Sequence, residues 1–468
     1  MKIDRLLEEL INIAKKPKTD FALSMNMTPS GLSKILTGKR VPSLKERKLF
    51  AKQTSEYFAE AIFSPRCYMK FESLFPVVYD FESQTDLQQF LAYAIEYALD
   101  DAFASENNVN LEYSDRGLYY LGRKPVLYQL CVLLSDYIVS NACLPMEWFG
   151  TLPLLDPSFS KIFQKLILQG EQYFSRATLN YYFDDVMMEG AKGFTATDLL
   201  TLISKRQRHF DLNFWKNPGK TEQYFLLLKG QLLLLFSTQI DGTPLLTPIC
   251  HKAFLAIFHN ALMKRDAQKI SYSREEVIGY LETTPEYISE ILKQGIDCVY
   301  NFMSIGYLLE KQELQSVGCS ETVSEVAWQF LQCVLKKNTA FIVSIAAMER
   351  FITVGKAIVP LIGAIPLTPE QRLPYLGRFN TYLGDNSHAK VKVIDSELSN
   401  VCVFCCQHFD VVYTLDDTYQ RERFHCFSSN QLSRKLHSET VEDPNTIEFS
   451  QELWQSYQKG LASSDRNG

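Results

Sequence analysis

At 468 residues, 46% of them hydrophobic and 22% charged, the chain has the composition of a folded globular protein and is too long for one ordinary domain. A net charge of −6 by itself argues against a general nucleic-acid binder. The charge is unevenly placed: residues 1–70 hold 14 Lys+Arg against 7 Asp+Glu, a net of +7, which leaves 34 against 47, a net of −13, for residues 71–468.

Residues 1–10 mix charged and apolar side chains in an amphipathic helical pattern unlike a signal peptide. Leu6, Leu7, Leu10, Ile11 and Ala14 share one face and predict a first helix over residues 3–14. Residues 18–24 predict a second, with Phe21 and Ala22 facing inward; the small Ala22 lets a neighbouring helix cross closely. Asn26 falls where the connecting turn needs a residue tolerant of positive φ. Thr28 then caps a third helix, and Pro29 suits its first position, where the missing N–H would have had no partner. Leu32, Ile35 and Leu36 form its buried stripe, while Ser30, Ser33, Lys34 and Thr37 form an outer face that is short, polar and positive. Gly38 stops the helix in a left-handed conformation, and Lys39 and Arg40 follow. Ser43 and Glu46 have capping-box spacing, which predicts a fourth helix over 44–52 and a fifth over 55–63, with a break at Pro65.

Over residues 3–62 this arrangement resembles the helix-turn-helix of the lambda-repressor-like family, also called the xenobiotic-response-element type. Ala22, Leu32, Ile35, Gly38, Lys39, Pro42 and Leu44 stand at the family's characteristic offsets. Carried over by position, the resemblance implies that Pro29, Ser30 and Lys34 contact bases. Lys34 would donate to guanine O6 or N7, Ser30 would pair with several bases, and Pro29 would pack on a thymine methyl. It likewise implies phosphate contacts by Lys18, Thr28, Thr37, Lys39 and Arg40, which set register without reading sequence. Gly31 inside the recognition helix costs about 1 kcal/mol relative to alanine and leaves that face one side chain poorer. One such module offers few phosphate contacts, so a homodimer on half-sites roughly 34 Å apart is expected.

Further along, Leu87, Phe90, Leu91, Ala94, Ile95, Tyr97 and Ala98 recur at helical spacing, and residues 126–139 do the same. They predict a large, mainly helical region over 71–368. Residues 143–157 interrupt it with Pro, Gly and aromatics. The run 224–236 is ambiguous, because its leucines favour helix while Lys229-Gly230 suits a hairpin. Residues 284–292 echo the cap and apolar positions of 28–36, but Glu286 and Glu290 replace Ser30 and Lys34, which predicts a capped core helix and not a second DNA reader. The longest apolar stretches, 232–236 and 357–367, are too short or too interrupted to cross a bilayer, so a soluble cytoplasmic protein with no membrane partner is expected. After Pro369 the segments 389–394, 401–415 and 421–427 alternate and predict a small antiparallel sheet, with a turn at 416–418 and a closing helix around 446–459.

Eleven cysteines run from Cys67 to Cys426 without secretory context and are expected to be reduced and mostly buried. Zinc would need four converging donors. Cys402, Cys406 and His408 share a face of the expected strand 401–415, and His425 or Cys426 could meet them from the paired strand. Cys402 and Cys405, however, point to opposite faces, so the pattern predicts buried thiols in a sheet and no metal. The chain has no Gly-rich phosphate loop, no His-Glu-x-x-His and no Gly-x-Ser-x-Gly, and neither catalysis nor a cofactor is expected.

The sequence therefore predicts a mainly α protein. A five-helix helix-turn-helix domain over 1–65 precedes a mainly helical sensor or dimerisation region over 71–368 and a small α+β region over 369–462. The expected function is sequence-specific regulation of transcription on double-stranded DNA by a homodimer that responds to a small-molecule or peptide effector. The alternative is an enzyme or scaffold with an accessory helix-turn-helix.

Overall fold

The computed structural model describes residues 1–43, 45–106, 119–142, 144–151, 177–184, 195–204, 210–219, 223–284, 292–304, 306–315, 318–336, 339–385, 391–416, 421–428, 431–440 and 446–449. The chain divides into two compact units, Met1–Tyr182 with Gly219–Asp266 and Phe183–Pro218 with Ala267–Gly468.

The first helices follow their apolar spacing. Helix α1 (Ile3–Ala14) buries Leu6, Leu7, Leu10 and Ile11, α2 (Lys18–Ser24) buries Phe21 and Ala22, and α3 (Pro29–Leu36) buries Leu32, Ile35 and Leu36. Phe21 packs on Phe58 of α4 (Arg47–Ile62) with ring centroids 4.8 Å apart. The two helices expected over 44–52 and 55–63 are thus one helix of 16 residues. Gln53-Thr54-Ser55 contains no breaker, so one hydrogen-bond ladder runs through. Ser43 Oγ does donate to the Glu46 carboxylate at 2.8 Å, but in the turn ahead of the helix and not as its cap. After the break at 63–64, Pro65 opens α5 (Pro65–Leu74), occupying the position where a lost N–H is harmless.

Two long helices come next, α6 (Gln84–Glu106) and α7 (Arg123–Ser140). Val126, Leu130, Leu134 and Ile138 of α7 are buried with Tyr128 and Val132, so this helix is enclosed on all sides. Asp86 of α6 accepts from Tyr128 of α7 at 2.6 Å and ties the two together.

Strands β1 (Tyr120–Leu121), β2 (Met146–Gly150), β3 (Ala177–Phe183), β4 (Phe210–Lys216), β5 (Tyr224–Leu228), β6 (Leu232–Thr238), β7 (Pro244–Ile249) and β8 (Gln268–Lys269) lie within residues 120–269 with helices α8 (Ala196–Ser204) and α9 (Lys252–Met263). From residue 271 onward come β9 (Ser271–Ser273), α10 (Arg274–Thr283), β10 (Cys298–Asn301), α11 (Lys311–Gln315), α12 (Glu321–Val334), β11 (Ala340–Ser344) and α13 (Ile345–Val354). The hairpin β12 (Lys356–Val359) and β13 (Gly363–Pro366), helix α14 (Pro369–Asp385), β14 (Val391–Ile394), β15 (Val401–Cys405), β16 (Asp410–Asp416), β17 (Arg421–Phe427), α15 (Gln431–Thr440) and β18 (Ile447–Glu448) complete it.

The expectation of a mainly α chain with a small C-terminal sheet is overturned. Strands β1 to β13 all fall inside residues 71–368, and large mixed sheets make this an α/β fold. Residues 224–236 show the reason. They form the hairpin β5–β6, turning at Lys229-Gly230 with Gly230 at φ +71°. Leu226, Leu227 and Leu228 are all buried, as are Leu232, Leu233 and Leu234, so no alternation marks either strand. Two-sided burial overrides the helical preference of leucine.

The C-terminal strands also belong to a larger sheet than expected, with strand order β18-β14-β11-β10-β15-β16-β17-β9. Here β10, β11 and β14 are parallel, while β15, β16 and β17 run antiparallel beside them. The single strand expected over 401–415 is a hairpin, folded back where the Cys406 N–H meets the Phe409 carbonyl at 2.9 Å. Ile447–Glu448 pairs with β14 as a strand where a closing helix was expected; residues 450–468 lie outside the described residues. Helix α15 lies where the sequence pattern predicts no helix. The echo at 285–291 and the turn at 417–418 also lie outside the described residues.

One strand order occurs twice. Strands β1-β7-β6-β5-β2-β3 are neighbours in that sequence, and β9-β17-β16-β15-β10-β11 repeat it. Every matching pair has the same direction: antiparallel for the first four junctions and parallel for the last. The antiparallel pair β4–β8 matches β14–β18 in the same way. Helix α7 follows β1 as α10 follows β9, and α9 follows β7 as α15 follows β17. The hairpin β12–β13 is an insertion found in the second copy among the described residues.

Candidate nucleic-acid interface

Helices α2 and α3 are joined by the turn 25–28. Asn26 adopts φ +53°, and the Met27 N–H reaches back to the Ala22 carbonyl at 2.9 Å. The Gly31 N–H donates to Thr28 Oγ1 at 3.1 Å, which caps α3. A Cβ on Gly31 would lie 3.2 Å from that same oxygen, so the glycine serves a tight cap. At the other end Gly38 takes φ +67°, and the Lys39 and Arg40 N–H groups both donate to the Lys34 carbonyl, at 2.8 and 3.1 Å. The exit turn is therefore wound closely around the end of α3.

Lys18, Thr28, Pro29, Ser30, Lys34, Thr37, Lys39 and Arg40 are all exposed. Ser30, Lys34 and Thr37 follow one another at i, i+4 and i+7 and line one stripe of α3. Thr28 accepts the capping bond and retains its hydroxyl proton for another acceptor. Thr37 gives its proton to the Ser33 carbonyl at 2.8 Å, so donation to a phosphate requires releasing that bond. Lys18 Nζ lies 3.1 Å from Glu8 in an exposed pair, which water screens to a small value. Arg47 is withdrawn from the basic surface altogether. It pairs with Asp100 and lies over the Phe103 ring, 5.1 Å from its centroid, a long-range tie that no local pattern announces.

Cys402, Cys406, His408, His425 and Cys426 are not brought together. Directly paired residues share a face of a sheet, and Cys402 pairs with Tyr413, which pairs with Phe424. Val412 pairs with His425, so the imidazole lies on the face opposite Cys402. There Nδ1 is 2.7 Å from Ser271 Oγ, and the ring stands edge-on to Phe214 with centroids 5.3 Å apart. Burial drives the His425 pKa down to about 3, which keeps the ring neutral. Cys426 pairs with Val411 and shares the Cys402 face, whereas His408 is exposed in the turn. Burial raises the Cys406 thiol to about 12 and Cys426 to about 11, which disfavours the thiolate at both. Among the described residues no cluster of three or more His, Cys, Asp or Glu could hold a metal ion, and every described cysteine is a free thiol.

Among the described residues no helix is long and apolar enough to cross a membrane. No family model matches the chain, and no curated protein matches its sequence.

Proposed function

We propose that the chain is a sequence-specific DNA-binding regulator of transcription that acts as a homodimer in the cytoplasm. Helix α3 carries the reading. It is capped by Thr28, ended by Gly38, held from behind by Leu32, Ile35 and Leu36, and turns Ser30, Lys34 and Thr37 to solvent as one stripe. An α-helix of this kind fits the major groove, where Lys34 reaches a guanine edge and Ser30 and Pro29 lie over neighbouring bases. Lys18, Thr28, Thr37, Lys39 and Arg40 then flank the phosphates. The net charge of −13 over residues 71–468 repels the rest of the chain from DNA and leaves the basic end to make contact.

The test is selection from a random duplex library, followed by titration at several salt concentrations. The wild type is expected to enrich a palindromic site. Lys34→Ala weakens that site by about 1–3 kcal/mol and relaxes the preference, while Lys39→Ala and Arg40→Ala weaken all sequences alike and each lower the salt slope by about one. A wild type that enriches no sequence, or binding indifferent to all three substitutions, overturns the proposal.

A further inference from the structure

Among the described residues a cavity of about 110 Å³ opens in the second unit, between one face of the parallel strands β10, β11 and β14 and helices α13 and α14. Phe341 and Val343 of β11 form its floor, and Met348, Phe351, Tyr375 and Phe379 stand among its walls. Asn301, the last residue of β10, lines it as well. This side chain is 6% exposed, and its Oδ1 has no hydrogen-bond partner. Of the other polar groups in the lining, Ser304 Oγ donates to the Lys356 carbonyl at 2.7 Å and the Tyr307 hydroxyl meets Cys402 Sγ at 3.6 Å, while Tyr375 and Tyr382 stand in the helical wall.

An unpartnered amide oxygen in an apolar wall is costly, and a leucine of similar size would remove the cost. Water is a poor remedy, because a buried water needs two to four polar partners and most of this lining is apolar. A cavity of about 150 Å³ lined by aliphatic and aromatic side chains accepts benzene. We infer that this cavity binds a small molecule with an apolar body no larger than a single ring and one hydroxyl group, which hydrogen-bonds the Asn301 amide. A hydroxyl both donates and accepts, so it satisfies the amide in either orientation of its oxygen and nitrogen. Met303 and Met348 give the walls some freedom to close on the occupant. The site stands on its own, whether or not α3 binds DNA.

Calorimetric titration of the full chain with phenol, and with toluene as the same ring without the hydroxyl, tests the inference. Phenol is expected to bind one per chain and about tenfold more tightly than toluene, the difference one hydrogen bond makes. Asn301→Leu is expected to abolish that preference while toluene still binds, and Ala347→Trp, which fills the cavity, to abolish binding of both. Equal binding of the two probes to the wild type, no binding of either, or a phenol preference that survives Asn301→Leu overturns it. The comparison of two probes on the wild type decides the matter even if a variant fails to fold.

Discussion

Replacing Asp86 with alanine is expected to destabilise the first unit by about 3 kcal/mol. The carboxylate is 6% exposed, and its Oδ1 accepts from the hydroxyls of Tyr128 at 2.6 Å and Tyr79 at 2.9 Å and from Lys124 Nζ at 2.9 Å. These donors are not equally stranded by the substitution. Lys124 keeps Glu82 at 3.3 Å and its contact with water, and Tyr128 keeps the Gln89 amide oxygen at 3.0 Å. Tyr79, half-buried, loses its acceptor, which costs about 2 kcal/mol, and the exchange of a charged for a neutral acceptor at Tyr128 adds about 1 kcal/mol. The effect has a pH signature. Burial alone would raise the Asp86 pKa, but the bonds from Tyr128, Lys124 and Tyr79 outweigh it and hold the carboxyl below its ordinary value. A depressed carboxyl pKa stabilises above the unfolded value, about 3.9, and that contribution disappears as pH falls through the folded one. Urea unfolding followed by helical circular dichroism should show the full gap between wild type and Asp86→Ala at pH 7, narrowing below about pH 4. A loss under 1 kcal/mol at pH 7, or a gap that persists in acid, would refute the reasoning.

Gly355 ends α13 at φ +68°, and an added Cβ would land on the Arg372 guanidinium, which bonds the Ile352, Val354 and Leu367 carbonyls. Gly355→Ala should therefore lower stability by roughly 2 kcal/mol and Tm by about 4–8 °C, and an unchanged melting curve would show that Arg372 clamps nothing there. His425 is neutral when folded, with its pKa near 3. The unfolded chain takes up its proton near 6.5, so this site makes stability rise with pH between those values, by about 1.4 kcal/mol per unit. Between pH 6.5 and pH 5 the stability of His425→Gln should accordingly gain about 2 kcal/mol on the wild type; parallel pH profiles would contradict the neutral imidazole.

Local chemistry was readable, and distant pairing was not. Thr28, Pro29, Asn26 and Gly38 act through bonds to residues within a few positions, so their roles follow from the immediate sequence. The helices α6 and α7 declare themselves through long apolar repeats. The strands β10 and β11 do not, because their pairing closes over some forty residues and both faces are covered. Strands of two or three residues, such as β1 and β9, are too short to carry any period. The doubled strand order leaves no trace in residue spacing, since what recurs is the pairing. The faces of His425 and Cys402 depend on where the hairpin β15–β16 turns, and one continuous strand hid that turn. Asn301 had a faint signal, a lone amide in the run Val299-Tyr300-Asn301-Phe302-Met303, but only the fold reveals that nothing answers it.

The doubled framework also separates what is held in common from what one half has added. Between Phe183 and Phe210 the first half spends 26 residues passing from β3 to β4; between Ser344 and Val391 the second spends 46 on the equivalent passage from β11 to β14. Helices α13 and α14, which wall the cavity, lie in that longer passage on either side of the β12–β13 hairpin. A sheet present twice can be kept intact in both places while a crossover in one of them grows, and here the growth coincides with the hollow. Shortening the second passage to the length of the first is thus the change that would turn one half back into a likeness of the other.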